Sequence, residues 1–164
     1  MTCNLSRMLV VAALTAAGGC GQLAPERTAP GPAPALAAVA PDVSPHAGQT
    51  YSEFVAAAGA SYSPDALGIP AADRVRLWRG MAEATPSALL TGGGAEALVF
   101  RGCSEQGCEE GVSIVAIDVA TGVAFAGVRD VGGADVLAPN ERVEALLRLN
   151  SPTRAWDNPE AAQP

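Results

Sequence analysis

Apolar positions along the chain follow two different periods, and the switch between them marks out the predicted elements. From Tyr51 to Ala60 and from Pro70 to Ala84 they recur at helical spacing, which predicts two helices. In the second, Val75, Trp78, Met81 and Ala82 form one stripe while Arg74, Arg76 and Arg79 fall on other faces, so Trp78 is expected to anchor the core. From Ala95 the period becomes two. Ala97 to Arg101 reads as a strand, and Val112 to Val119 is a β-branched run apolar on both faces, as a central buried strand should be. Ala120-Thr121-Gly122 turns the chain into Val123 to Val128, making a short hairpin. Gly92-Gly93-Gly94 lacks the Gly-Lys-Ser/Thr of a phosphate loop and reads as a turn.

The last element carries its own boundary signals. Asn140 can cap a helix, Glu141 and Glu144 suit its positive end, and Arg148 suits its negative end. Val143, Leu146 and Leu147 make one apolar stripe, and Pro152 prevents continuation. Helices, an antiparallel meander and a closing helix predict an α+β fold, a small antiparallel sheet with helices packed on it. The domain is expected over residues 51–158, with an irregular tail over 159–164.

The N-terminal segment follows a different logic. Arg7 precedes a ten-residue apolar run, Met8 to Ala17, which as a helix rises about 15 Å, half of a bilayer core. Residues 1–19 therefore read as an export signal and not as a span. Ala17-Gly18-Gly19 leads into Cys20 and resembles a bacterial lipobox, although Ala17 stands where such sequences usually carry Leu. That resemblance implies a lipid on the Cys20 sulfur, palmitate among its acyl chains, and anchoring in the periplasm. Gly21 fits sorting to the outer membrane. Ordinary signal-peptidase cleavage nearby is the alternative. Residues 20–50 hold six prolines among alanines and few large apolar groups, so they are expected to form a flexible Pro/Ala-rich tether. His46 lies in that stretch and is expected to be solvated.

Charge and composition narrow the chemistry. The chain has 164 residues, 17 acidic against 10 basic, and a net charge of −7. Losing residues 1–19 would remove Arg7 and make this −8. All ten basic residues are Arg. Such a balance excludes nucleic acid as a partner, since phosphate binding needs clustered cations. It favours a basic partner, or charge kept for solubility. With no lysine and one histidine, Schiff-base chemistry and triad-type nucleophilic catalysis are not expected, nor is any cofactor. An acid hydrolase using a pair such as Glu109 and Asp118 has little support, because nothing sets the two carboxyls apart.

Two cysteines, Cys103 and Cys108, remain once Cys3 and Cys20 are assigned to the signal and the anchor. Two ligands are too few for structural zinc, so no metal is expected, and an exported compartment favours a disulfide. Closing so short a loop contributes only about 2 kcal/mol. The bridge then either stiffens a binding loop or merely staples a hairpin, and spacing does not separate the two readings.

The order of a Trp-containing helix, a Gly-rich turn, a strand ending in Cys-x4-Cys, a buried strand and a hairpin resembles the periplasmic inhibitor of vertebrate lysozyme family. The closing helix from Asn140 to Leu147 fits as well, so the resemblance spans about residues 70–150. Its most specific part is GCSEQGCEEGVSIVAIDVATGVAFAGV, residues 102–128. In that family the loop typically reads Cys-Lys-Pro-His-Asp-Cys and enters the cleft of a c-type lysozyme, where its His meets the catalytic carboxylates. Carried over, Cys103 and Cys108 match the bridge and Gln106 falls at the His. Ser104, Glu105 and Gly107 replace the Lys, Pro and Asp. A Gln amide donates only as a neutral group, roughly half as strongly as an imidazolium.

The resemblance implies an envelope lipoprotein and not an enzyme. It would inhibit a lysozyme or an endogenous peptidoglycan hydrolase through the loop of Ser104, Glu105, Gln106 and Gly107, with Gln106 as the contact at its tip and Glu105, Glu109 and Glu110 meeting basic residues at the cleft rim. The alternative is a structural or adaptor lipoprotein of the envelope whose loop is only a staple. Family members can form a homodimer, but no exposed apolar face in the sequence requires one.

Overall fold

The computed structural model describes residues 40–57 and 59–159. The expected signal, Cys20 and the tether up to residue 39 lie outside these residues, as does the tail after 159.

Five strands form one antiparallel meander in the order β1 (Glu83–Gly92), β2 (Ala95–Ser104), β3 (Gly107–Asp118), β4 (Ala124–Asp130) and β5 (Gly133–Ala138). Helix α1 (Tyr51–Ala57) and helix α2 (Ala71–Arg79) precede the sheet, and α3 (Glu141–Leu149) follows it. The fold is α+β, with helices on both faces of the sheet.

β3 explains this layering. Its side chains alternate, so Val112, Ile114 and Ala116 enter one core while Val115 and Ile117 enter the other. The core of Val115 and Ile117 takes Tyr51 and Phe54 of α1, Leu77 of α2, Phe100 and Val128. The core of Val112, Ile114 and Ala116 takes Val143, Leu146 and Leu147 of α3 together with Phe125 and Trp156. A run apolar on both faces thus sits between two layers, flanked by β2 and β4.

The turns follow from local chemistry. Gly93 and Gly94 join β1 to β2 with φ of +58° and +77°, a left-handed pair that glycine adopts without steric cost. At the far end of β3 the carboxylate of Asp118 accepts the amides of Ala120 and Thr121 at 2.9 and 3.0 Å. Its second oxygen lies 3.4 Å from Arg142 of α3, whose guanidinium also donates to the Gly94 carbonyl at 2.6 Å. Asn140 caps α3 by accepting the Val143 amide at 3.2 Å and donates to the Val123 carbonyl at 3.0 Å. One buried carboxylate and one cap therefore tie α3 to two hairpins.

The structure corrects several expectations. The helix expected to reach Ala84 stops at Arg79, and Glu83 already belongs to β1. The helix expected to reach Ala60 stops at Ala57. Leu77 is the residue of α2 that enters the core, whereas Val75 and Trp78 are 58% and 41% exposed. Trp78 is not a core anchor: it lies over the buried ring of Tyr51, centroids 5.3 Å apart, and Tyr51 takes the inner place. β1 and β5 had no counterpart among the expected strands.

Residues 40–50, expected to be the end of the tether, belong to the folded unit. Val43 is buried, and His46 stands edge-on to Phe54 with centroids 5.1 Å apart. Ser87 of β1 exchanges backbone bonds with this segment, accepting from Gly48 at 2.9 Å and donating to Gln49 at 2.8 Å. His46 is half-buried, held by Phe54 and Gln49, and not fully solvated as expected.

Candidate functional site

The Cys103–Cys108 disulfide is formed, and it closes the tip of the β2–β3 hairpin. Ser104 pairs with Gly107, which leaves Glu105 and Gln106 as a two-residue turn, both exposed. The next pair is Cys103 with Val112, so Cys108 to Gly111 bow out opposite no residue of β2. Glu109 and Glu110 stand exposed on this bow. The bridge spans its base.

Hydrogen bonds set the shape of the tip. Ser104, expected among the partner-binding residues, is 2% exposed and its hydroxyl donates to the Gly107 carbonyl at 2.9 Å. It shapes the turn and presents little to a partner. Arg129 on β4 donates to the Cys108 carbonyl at 2.7 Å and ties the bow to the neighbouring strand. The surface residues at the tip are Glu105, Gln106, Gly107, Glu109 and Glu110.

Two cavities flank the tip, and their charges differ. One of about 170 Å³ is bordered by Arg76, Arg79, Gln106, Glu110, Arg129 and Asp130. Within it Arg76 is saturated with acids, lying 2.8 Å from Asp130, 2.8 Å from Asp135 and 3.3 Å from Asp73. The hydrogen bond from Arg76 holds the Asp130 carboxyl below its ordinary value, helped by the Gly132 amide and by Arg79 through space. Arg79 and Arg129 form no ion pair among the described residues. The other cavity, about 310 Å³, runs along the opposite side between the disulfide and the start of β1, with Glu83 and Glu105 among its lining residues.

Sequence reasoning placed the loop but not its surroundings. Arg79 reads as a helix residue off the apolar stripe, and Arg129-Asp130 falls just beyond the strand expected to end at Val128. The available signal was scarcity: with ten arginines and no lysine, every cation stands out, and three of them border one cavity. Glu109 and Asp118 do not form an acid pair, because one is exposed in the bow and the other is buried at the opposite end of β3. Among the described residues no three His, Cys, Asp or Glu gather as metal ligands would, and no helix is long and apolar enough to cross a membrane.

Comparison with protein-family models, with curated proteins and with solved structures returns no match for the chain.

Proposed function

We propose that the chain is a lipid-anchored envelope protein that binds and inhibits a lysozyme or a related peptidoglycan hydrolase by inserting the Cys103–Cys108 tip into its active-site cleft. The observation that carries this reading is the tip itself: two exposed residues, Glu105 and Gln106, on a turn held by a disulfide, a Ser104 hydroxyl bond and an Arg129 brace. A turn fixed beforehand loses little entropy on binding, so its contacts convert more fully into affinity.

Gln106 supplies a neutral amide where the inhibitors that the loop resembles carry an imidazole, and Arg79 and Arg129 border the same cavity as Gln106. Their guanidiniums put positive charge beside the tip, where an enzyme's catalytic carboxylates would approach. The net charge of −7 favours encounter with a cationic enzyme at low salt. The anchor would be the lipid on Cys20, and palmitate labelling lost in Cys20→Ala tests it.

Cell-wall lysis by hen lysozyme, titrated with the full chain before and after reduction, tests the reading. Stoichiometric inhibition that weakens on reduction is the expected result. Absence of inhibition at micromolar protein would sink the c-type lysozyme as its target. The brace that binds Cys108 to β4 favours a second reading, a structural or adaptor lipoprotein with a stapled hairpin, and that result would leave it standing.

A further inference from the structure

We infer that the larger cavity beside the tip is a seat for one basic side chain, arginine or lysine, of the partner protein. Resting on the proposed binding role of the tip, the inference adds a residue outside the loop, Glu83 of β1, and states the chemistry of what it meets.

The groove has an apolar floor and an acidic rim. Ala84, Pro86 and the Cys103–Cys108 bridge line it, while Glu83 and Glu105 carry its carboxylates. Both glutamates are exposed, and neither carboxylate has a hydrogen bond or an ion pair among the described residues. An aliphatic stem with a charged head matches these walls, because long basic side chains lay their methylenes on apolar surface and keep the charge at a polar edge. About 310 Å³ holds one such side chain and little more.

The walls are fixed in advance. The β1–β2 register shifts between Thr85 and Ala88, and at that bulge Ser87 is tied to the 46–49 segment through its backbone and by its hydroxyl, which donates to the His46 carbonyl at 3.1 Å. The outward amide and carbonyl of Ser87 are already taken by Gln49 and Gly48, so another strand cannot extend the sheet at this point. The disulfide holds the opposite wall. Across the tip, Arg79 and Arg129 border the smaller cavity. The tip therefore stands between a groove whose only charged lining residues are Glu83 and Glu105 and a cavity where Glu110 and Asp130 face three arginines, a difference that favours a basic group in the groove and sets the partner's orientation.

Amide spectra of the ¹⁵N-labelled full chain, titrated with N-acetyl-L-arginine amide and separately with N-acetyl-L-leucine amide, test this directly. Saturable shifts at Glu83, Thr85, Cys103 and Glu105 are expected with the arginine compound and not with the leucine one. Each of Glu83→Gln and Glu105→Gln should weaken them about two- to fivefold, the span of an exposed pair. Equal responses to both compounds, no saturation, or no effect of the two substitutions would overturn the inference. In the lysozyme assay Glu83→Gln should raise the inhibition constant by the same factor and flatten its salt dependence. A wild-type chain that fails to inhibit removes the c-type lysozyme as the partner, while the arginine titration still decides the groove.

Discussion

Replacing Gly127 with alanine should destabilise the protein only while Trp156 is present. Gly127 lies in β4, and a Cβ built on it falls 2.6 Å and 2.7 Å from Cζ3 and Cη2 of the Trp156 ring. Carbon atoms in contact prefer about 3.5–4.0 Å, so the ring must move by roughly 1 Å. It has little room to do so. Trp156 is 5% exposed, edge-on to Phe125 with centroids 5.6 Å apart, and packed in the same core as Leu146 and Leu147. Forcing one methyl into such packing costs about 1–3 kcal/mol. Set against this, alanine restricts the unfolded chain and contributes about 0.4–1 kcal/mol of stability where the backbone allows it. Gly127 has no positive φ, so the backbone does allow it. Gly127→Ala should then destabilise the wild type, and in the Trp156→Ala background it should be neutral or stabilising. The coupling between the two sites should be about 1–3 kcal/mol. Trp156→Ala alone should cost about 3–5 kcal/mol. Urea unfolding of the four proteins, followed by far-UV circular dichroism, measures all three quantities. An equal cost of Gly127→Ala in both backgrounds would refute the close packing of the 151–159 segment on the sheet.

Two further outcomes follow from contacts outside that core. Starting the chain at Tyr51 instead of Ala40 removes buried Val43 and the His46–Phe54 contact, and should lower stability by about 2 kcal/mol in the same urea assay; an unchanged midpoint would mean that these residues only rest on the domain. Asp130 is held below its ordinary pKa by Arg76, so the pair contributes stability that is present above the unfolded value, 3.8, and is lost as pH falls through the lower folded value. Asp130→Asn should therefore be less stable than wild type near neutrality and should lose less on acidification below about pH 4. Acid curves of identical shape would show that solvent already screens this partly exposed pair.

Much of the fold was legible because its central elements carry their signals locally. Val112 to Val119 is apolar on both faces, and the structure places it between two layers, as such a pattern requires. Asn140, Val143, Leu146, Leu147 and Arg148 mark a helix whose cap, stripe and end coincide with those observed. Cys103 and Cys108 are the two cysteines left once Cys3 and Cys20 are set aside, and they are bridged.

What the tertiary structure alone decided is of another kind. β1 and β5 are edge strands with mostly exposed side chains, and their order comes from the unpaired N–H and C=O groups of β2 and β4 rather than from any alternation of their own. Trp78 faces outward because the core place beneath it is filled by Tyr51, a residue 27 positions earlier in the chain. The seats of Val43, His46 and Trp156 arise from segments whose composition has no period at all, since single anchors need only a complementary hole. The two cavities beside the tip likewise draw Glu83, Arg79 and Arg129 from three separate elements. Periodicity reports which face of an element is buried; which distant side chain meets it depends on how the layers close, and the chain determines that only once folded.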